Sequence, residues 1–392
     1  MVLDLVAAMD WPRTPVDRLQ NFRPPFCPRR DCPQHLEPNG FRCHKHASYL
    51  VRGRRVPRFR CLACGSTFSR RAFSTAYYLK RPELLRPVAA GLQAGSAHRQ
   101  LARTLGCSPS TVTRLSARLG RHAMLLMWRM YESLDGKLTE PVVMDHFETF
   151  ELSQDMPLGI NTAVGSDSWL VYVIDPTPHA RTGRRTAFQE KRGRRRAPRP
   201  RRGGYEGSNR RVLDRLLDLA PEGRTLTLVG DGHPSLTRAV KRHPQPDRIR
   251  LQRFPNPPRG PKGSPRSPRA IVRDRAMFAV DLLHGLWRHS LAAHKRETIA
   301  FGRRLNGIVE RQFLAAIWRN FVKGVSERRG DPTTPAMRVG LTDRPWTWER
   351  VLGRRLFPDG AGLQDSWHDL YYRDWITAEL GPNTRHRRVF AY

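Results

Sequence analysis

Apolar positions along the chain change period several times, and each change marks a different kind of element. In "SAHRQLARTLGCSPSTVTRLSARLG", residues 96–120, Leu101, Ala102 and Leu105 fall on one helical face, and Val112, Leu115 and Leu119 on another. Gly106 lies between the two faces. Ser108-Pro109 supplies an N-cap followed by proline at the first helical position. This pattern predicts a helix-turn-helix whose second helix presents Ser110, Thr111, Thr113, Arg114 and Arg118 to a DNA major groove.

From about residue 139 the period shortens. "PVVMDHFETFEL", "LGINTAVG" and "WLVYVIDP" predict three strands at hairpin spacing. A helix over 208–220 follows, then the strand in "TLTLVGDGHPSL", which ends at Asp231-Gly232 and leads into a helix. A further strand around "IRLQRF" precedes a helix in "AMFAVDLLHGLWRH", residues 276–289. Three antiparallel strands followed by alternating helices and strands predict an α/β core.

Cysteine spacing adds a metal site. Cys27 and Cys32 form C-x4-C, and Cys61 and Cys64 form C-x2-C in "RCLACGSTFS". Two such knuckles suit a zinc ion held by four thiolates in a ribbon module. Cys43, His44, His46 and His35 are alternative ligands for the first knuckle, and Cys107 stands alone as a small packing residue.

Charge then narrows the partner. The 392 residues carry a formal net charge of +35, which points to an acidic polymer and above all to double-stranded DNA. No run approaches the length of a membrane-spanning helix. The opening residues lack a basic start and carry Asp4, so a cytoplasmic, nucleoid-associated protein with no membrane partner is expected. Two Arg-rich stretches, 181–204 and 255–269, read as disordered when free and as binders of DNA phosphates, with Arg194, Arg195 and Arg196 at the centre of the first.

Candidate chemistry lies in acids set in apolar contexts. Asp145 follows Val142, Val143 and Met144, Asp231 ends a later strand, and Asp281 sits in a helix among Phe278, Val280, Leu282, Leu283, Leu286 and Trp287. An unpaired carboxylate is costly to bury, and gathered carboxylates call for a cation. Oxygen ligands select Mg²⁺ or Mn²⁺, and two such ions serve phosphodiester displacement.

A zinc ribbon, a helix-turn-helix and a core with these acids together resemble a bacterial insertion-sequence transposase of the DDE class. "KRETIAFGRR", "WRNFVKG" and "TTPAMRVGLTDRPWTWERVLGRRLF" are similar to text in that family. The resemblance implies an RNase H-like catalytic fold in which Asp145 is the acid of the first strand and Asp231 that of the fourth. It also implies cleavage at element ends, strand transfer into target DNA, and a homodimer or larger assembly on DNA. For the third acid, Asp281 has a basic residue, Arg288, seven positions on, as the family often does. Glu310 is the alternative, expected to pair with Arg311 or Arg303 on the surface, and Glu297 in "HKRETIAF" is a third choice.

The expected organisation is a zinc ribbon at 20–80, a helix-turn-helix at 81–125, a catalytic domain at 139–330 carrying the insertion 181–204, and an extension at 331–392 whose Trp367, Tyr371, Tyr372 and Trp375 suit packing or subunit contact. A non-enzymatic DNA-binding regulator with an inactive core is the alternative function. One test follows from charge alone. Deleting 181–204 is expected to flatten the dependence of DNA affinity on salt, by about 0.9 in log–log slope for each phosphate that the shortened chain leaves unneutralised. An unchanged slope in a binding titration would mean that the insertion is only a solvated loop.

Overall fold

The computed structural model describes residues 22–375 apart from 52–53, 182, 195–202, 259, 262, 296–297 and 364. They fall into two compact units, one of residues 22–87 with 346–363 and one of residues 88–345 with 365–375.

The first unit is built on a three-stranded antiparallel sheet, β1 (Cys43–Val51), β2 (Arg54–Cys61) and β3 (Thr67–Ser69). Phe26, Phe59, Phe68 and Phe73 form its core with three of the cysteines. Phe357, almost 300 residues further along the chain, joins the same core, its ring centroid 5.2 Å from that of Phe26. The Asp359 carboxylate beside it takes an ion pair from Arg30 at 2.6 Å. The expected extension at 331–392 is therefore divided. Its middle completes the cysteine-bearing unit, because a module this small has too few apolar residues of its own to close a core.

The second unit opens with α1 (Leu85–Gln93), α2 (His98–Thr104) and α3 (Pro109–Leu134). Between α2 and α3 the chain turns at Gly106, whose φ is +58°, a value that favours glycine. The Ser108 hydroxyl then accepts the Thr111 N–H at 3.2 Å, capping α3. The turn and cap match the sequence pattern. α3 runs past the expected end at 125, to Leu134, and its later turns are core: Leu119, Met124, Met127 and Met130 are buried.

The sheet of this unit has the order β6-β5-β4-β7-β8, with β4 (Val142–Phe150), β5 (Pro157–Gly165), β6 (Val171–Pro178), β7 (Leu226–Gly230) and β8 (Ile249–Arg253). β4, β5 and β6 are antiparallel, whereas β7 and β8 run parallel to β4. The helices between them are α4 (Ala187–Arg194), α5 (Gly204–Leu219) and α6 (Pro234–Lys241). Then follow α7 (Pro268–Ala276), α8 (Phe278–Ser290), α9 (Leu305–Ile317) and α10 (Asp365–Tyr372). α4 corrects the expectation of disorder for part of 181–204: "AFQEKRGR" is helical, and Arg181 pairs with the Asp155 carboxylate at 2.9 Å.

β6 is an edge strand, which explains how it accommodates Pro176 and Pro178. Buried side chains occupy its open hydrogen-bonding groups. Asn320 donates to Val171 O at 3.0 Å and accepts the Val171 N–H at 2.9 Å. Tyr131 donates to Tyr172 O at 2.6 Å, and Trp367 donates to Ile174 O at 2.9 Å. Trp367 and Trp375 are thus packing residues, both buried.

α9 lies against α3 so closely that a Cβ on Gly120 would sit 2.4 Å from the Glu310 Cβ and 2.5 Å from its carbonyl oxygen. Gly120→Ala is expected to force the helices apart and cost about 1–3 kcal/mol of stability, measurable by urea denaturation. A variant as stable as the native chain would show that this crossing is loose.

Candidate metal centre and acidic site

In the first unit, Cys27, Cys32, Cys61 and Cys64 converge, with all four sulfurs within 4.8 Å of one another. The turn after β2 brings Cys61 and Cys64 together, and Gly65, at φ +70°, closes it. Across the two knuckles, Cys27 Sγ lies 3.7 Å from Cys64 Sγ, and Cys32 Sγ 3.8 Å from Cys61 Sγ. A tetrahedron with Zn–S bonds of about 2.3 Å has edges of about 3.8 Å, so the four thiols could hold a zinc ion. The alternative ligands lie outside this set. His35 bonds through Nδ1 to Cys27 O at 2.8 Å and faces Asp359 through Nε2, Cys43 pairs with Cys61 only across the β1–β2 ladder, and His44 and His46 are exposed.

In the second unit, three of the acids selected from the sequence come to one region of the sheet from three elements. Asp145 lies on β4, Asp231 follows the end of β7, and Asp281 is in the first turn of α8. β4 and β7 are parallel neighbours, with Met144 opposite Gly230, so Asp145 within β4 and Asp231 just past β7 are the next residues along two adjacent strands. Gly232, at φ +83°, turns the chain into α6, and Asp231 Oδ1 accepts the His233 N–H at 2.9 Å. α8 packs on β4 and β5 through Val280, Leu283 and Trp287, all buried.

Of the apolar neighbours of Asp281, Val280, Leu283 and Trp287 thus face the core, whereas Phe278, one turn before it, is exposed. The Asp281 side chain itself is 40% exposed, so its apolar sequence context does not bury it. It is bound by Arg273 of α7, with Arg273 Nη1 on Oδ2 and Nη2 at 3.5 Å from Oδ1. The three carboxylates do not approach within 4.8 Å of one another as a set.

Asp145 nevertheless feels the other two. Burial, with Asp231 and then Asp281 adding like charge, raises Asp145 from the ordinary carboxylate range to about 7, against a lowering by the His146 N–H and by Arg273. Asp145 Oδ1 accepts that N–H at 2.8 Å. Its Oδ2 faces His284 Nδ1 at 3.8 Å. Burial, with Arg288 adding, holds His284 down at about 3, so its ring is neutral at pH 7.

Sequence reasoning missed most of these supports. Thr162, opposite Asp145 on β5, donates to Asp145 O at 3.0 Å and meets His284 Nε2 at 2.8 Å. Arg288, expected to accompany the third acid, instead donates to Glu148 O at 3.0 Å and lies over the Phe147 ring. On the other face of β4, Tyr205 donates to Glu148 at 2.6 Å beside His179, and its ring meets that of His146. No signal in the sequence links residues 148, 179 and 205, because only the β-sheet register brings them together.

Glu310 is elsewhere, and not on the surface. It is 3% exposed, ion-paired to Arg373 at 2.6 Å, and its helix lies on α3. Burial pushes its carboxyl up while Arg373, Arg121 and Arg311 oppose that. Its surroundings make it a packing group. Glu297 lies outside the described residues, as do Arg195 and Arg196, and Arg194 ends α4.

Among the DNA-reading candidates, Ser110, Thr113 and Arg114 are exposed, and Thr111 and Arg118 are half-buried. The Ser110 and Thr111 hydroxyls each lie 2.9 Å from Ser108 Oγ, and Thr113 donates to Pro109 O at 3.0 Å. These hydroxyls therefore already take part in the first turn of α3. No described helix is long and apolar enough to cross a membrane. Comparison with protein-family models, curated proteins and solved structures gave no match to this chain.

The raised Asp145 has a consequence for stability. Its native value lies above its unfolded value, so it favours the fold at acid pH, and that contribution is lost as pH rises from about 4 through about 7. Asp145→Asn is expected to raise the melting temperature at pH 7.5 in buffer free of divalent ions other than zinc, and to leave it unchanged near pH 4. Equal shifts at both pH values would show that Asp145 is not strained by charge.

Proposed function

We propose that this protein is a DNA transposase with an RNase H-like core that cuts DNA at element ends and transfers the strands to a target. The observation that carries this reading is the meeting of Asp145, Asp231 and Asp281 from a central strand, its parallel neighbour and a packed helix. Burial and the like charges of its neighbours leave Asp145 titrating near 7 rather than fully ionised. The order β6-β5-β4-β7-β8, with three antiparallel strands followed by two parallel ones, supports the RNase H-like assignment.

The oxygen chemistry of the donor set suits a divalent cation, which would draw the three carboxylates closer than they now lie. The first two members of the set are carboxylates on adjacent strands, and a guanidinium, Arg273, already stands beside the third as a counter-charge. Asp145, Asp231 and Asp281 would hold Mg²⁺ or Mn²⁺, which supplies an activated oxygen nucleophile and stabilises the leaving oxygen. Thr162 and the α8 packing hold Asp145 and Asp281 in place. Arg273 neutralises Asp281 in this structure.

The cysteine unit and the α2–α3 turn would bind element ends, with Arg114 and Arg118 beside the exposed start of α3. Basic stretches around residues 194–196 and 255–269 would hold phosphates without reading sequence. The proposed partner is double-stranded DNA, engaged by at least two copies of the chain.

The test is transposition from a donor plasmid carrying this gene's own flanking ends, at matched expression. Asp145→Asn, Asp231→Asn and Asp281→Asn are each expected to abolish movement, a drop of at least about 1,000-fold, while binding to ends persists. Glu310→Gln is expected to reduce activity only in proportion to the fall in folded protein. Movement that survives all three Asp→Asn changes would favour the non-enzymatic regulator.

A further inference from the structure

We infer that His284 supplies a nitrogen ligand to the divalent ion of the acidic site, giving that ion a mixed set of imidazole and carboxylates and a preference for Mn²⁺ over Mg²⁺. The inference rests on the functional reading above and goes beyond its three carboxylates.

Hydrogen-atom positions decide which nitrogen is free. The Thr162 hydroxyl has one hydrogen, and it donates it to Asp145 O at 3.0 Å. The same oxygen lies 2.8 Å from His284 Nε2, so Nε2 carries the proton of that bond and donates to Thr162. In the neutral ring this leaves Nδ1 with a lone pair. That lone pair faces Asp145 Oδ2 at 3.8 Å. With Asp145 ionised, these are two acceptors turned toward each other, which repel unless a cation lies between them.

One ion with bonds of about 2.1 Å to each atom spans up to about 4.2 Å, so both atoms can reach it. The arrangement also has the usual support of a ligating histidine, whose other nitrogen is fixed by a protein acceptor. Here the acceptor is Thr162, fully buried on β5.

Among the described residues, no other histidine nearby is placed this way. His146 is next to Asp145 along β4 and points to the opposite face, where its ring meets Tyr205. The His233 ring bonds Ser235 through Nδ1 at 2.7 Å. His294 is held by Thr149 and Gln312. An imidazole nitrogen among carboxylates shifts preference from Mg²⁺, which favours oxygen alone, toward first-row transition ions.

The test is electron spin echo envelope modulation on the zinc-loaded full chain with Mn²⁺ as the probe. The native protein is expected to show ¹⁴N modulation from one imidazole. In His284→Gln that modulation is expected to vanish, with Mn²⁺ affinity falling about tenfold and Mg²⁺ affinity by less than about threefold. Asp145→Asn is expected to lose Mn²⁺ from this site. If Mn²⁺ binding needs Asp145 but the native protein shows no nitrogen modulation, this inference alone is overturned. Modulation that persists in His284→Gln also overturns it, since another histidine is then the ligand. Binding indifferent to Asp145→Asn overturns the functional reading together with it.

Discussion

The organisation of the second unit turns on a carboxylate that the protein does not neutralise. Asp145 sits on a central strand, with Asp231 and Asp281 adding negative charge. The same sheet shows how an acid is handled when it serves only the fold. Asp175, on β6, is buried and receives Arg211 through two bonds, at 3.0 and 2.7 Å, and hydroxyls from Ser208 and Ser366, each at 2.6 Å. Glu310 likewise has Arg373. Among the described residues, the Asp145 carboxylate receives the neighbouring backbone N–H and lies 3.8 Å from His284 Nδ1. A half-buried carboxylate without a counter-ion of its own is held there at a cost in free energy.

Packing explains why the acids hold their places. β4 lies at the middle of the sheet, and α8 is pinned to it by Trp287 and by Arg288 on the Glu148 carbonyl. The edge at β6 is sealed by Asn320, Tyr131 and Trp367, which come from three separate segments of the chain. Sealing an edge in this way also removes a surface on which another strand could pair. The long helix α3 then ties the turn expected to read DNA to the same core, since its first turn is exposed and its last turns are buried.

Several features are legible in the primary structure. The two cysteine knuckles, the cap at Ser108, and the strands leading to Asp145 and Asp231 are local patterns, and each is present where the spacing places it. The third acid is harder. Asp281 stands out in the sequence because its neighbours are apolar, yet only Val280, Leu283 and Trp287 among them enter the core. The residue does join the other two acids, but it does so from an exposed, arginine-bound position. Glu310 departs from expectation in the other direction, because a surface ion pair and a buried one look alike in a string of letters.

Local composition and periodicity determined most of the elements, the two cysteine knuckles and the strands that carry Asp145 and Asp231, because helices, strands and knuckles depend on residues close in sequence. Tertiary structure decided what those elements meet. The pairing of His284 with Thr162 and Asp145, the clamp of Arg273 on Asp281, the cluster of Glu148, His179 and Tyr205, and the return of Phe357 to the cysteine-bearing core all join distant segments. Such pairings follow from sheet register and helix packing, which no single stretch of sequence specifies.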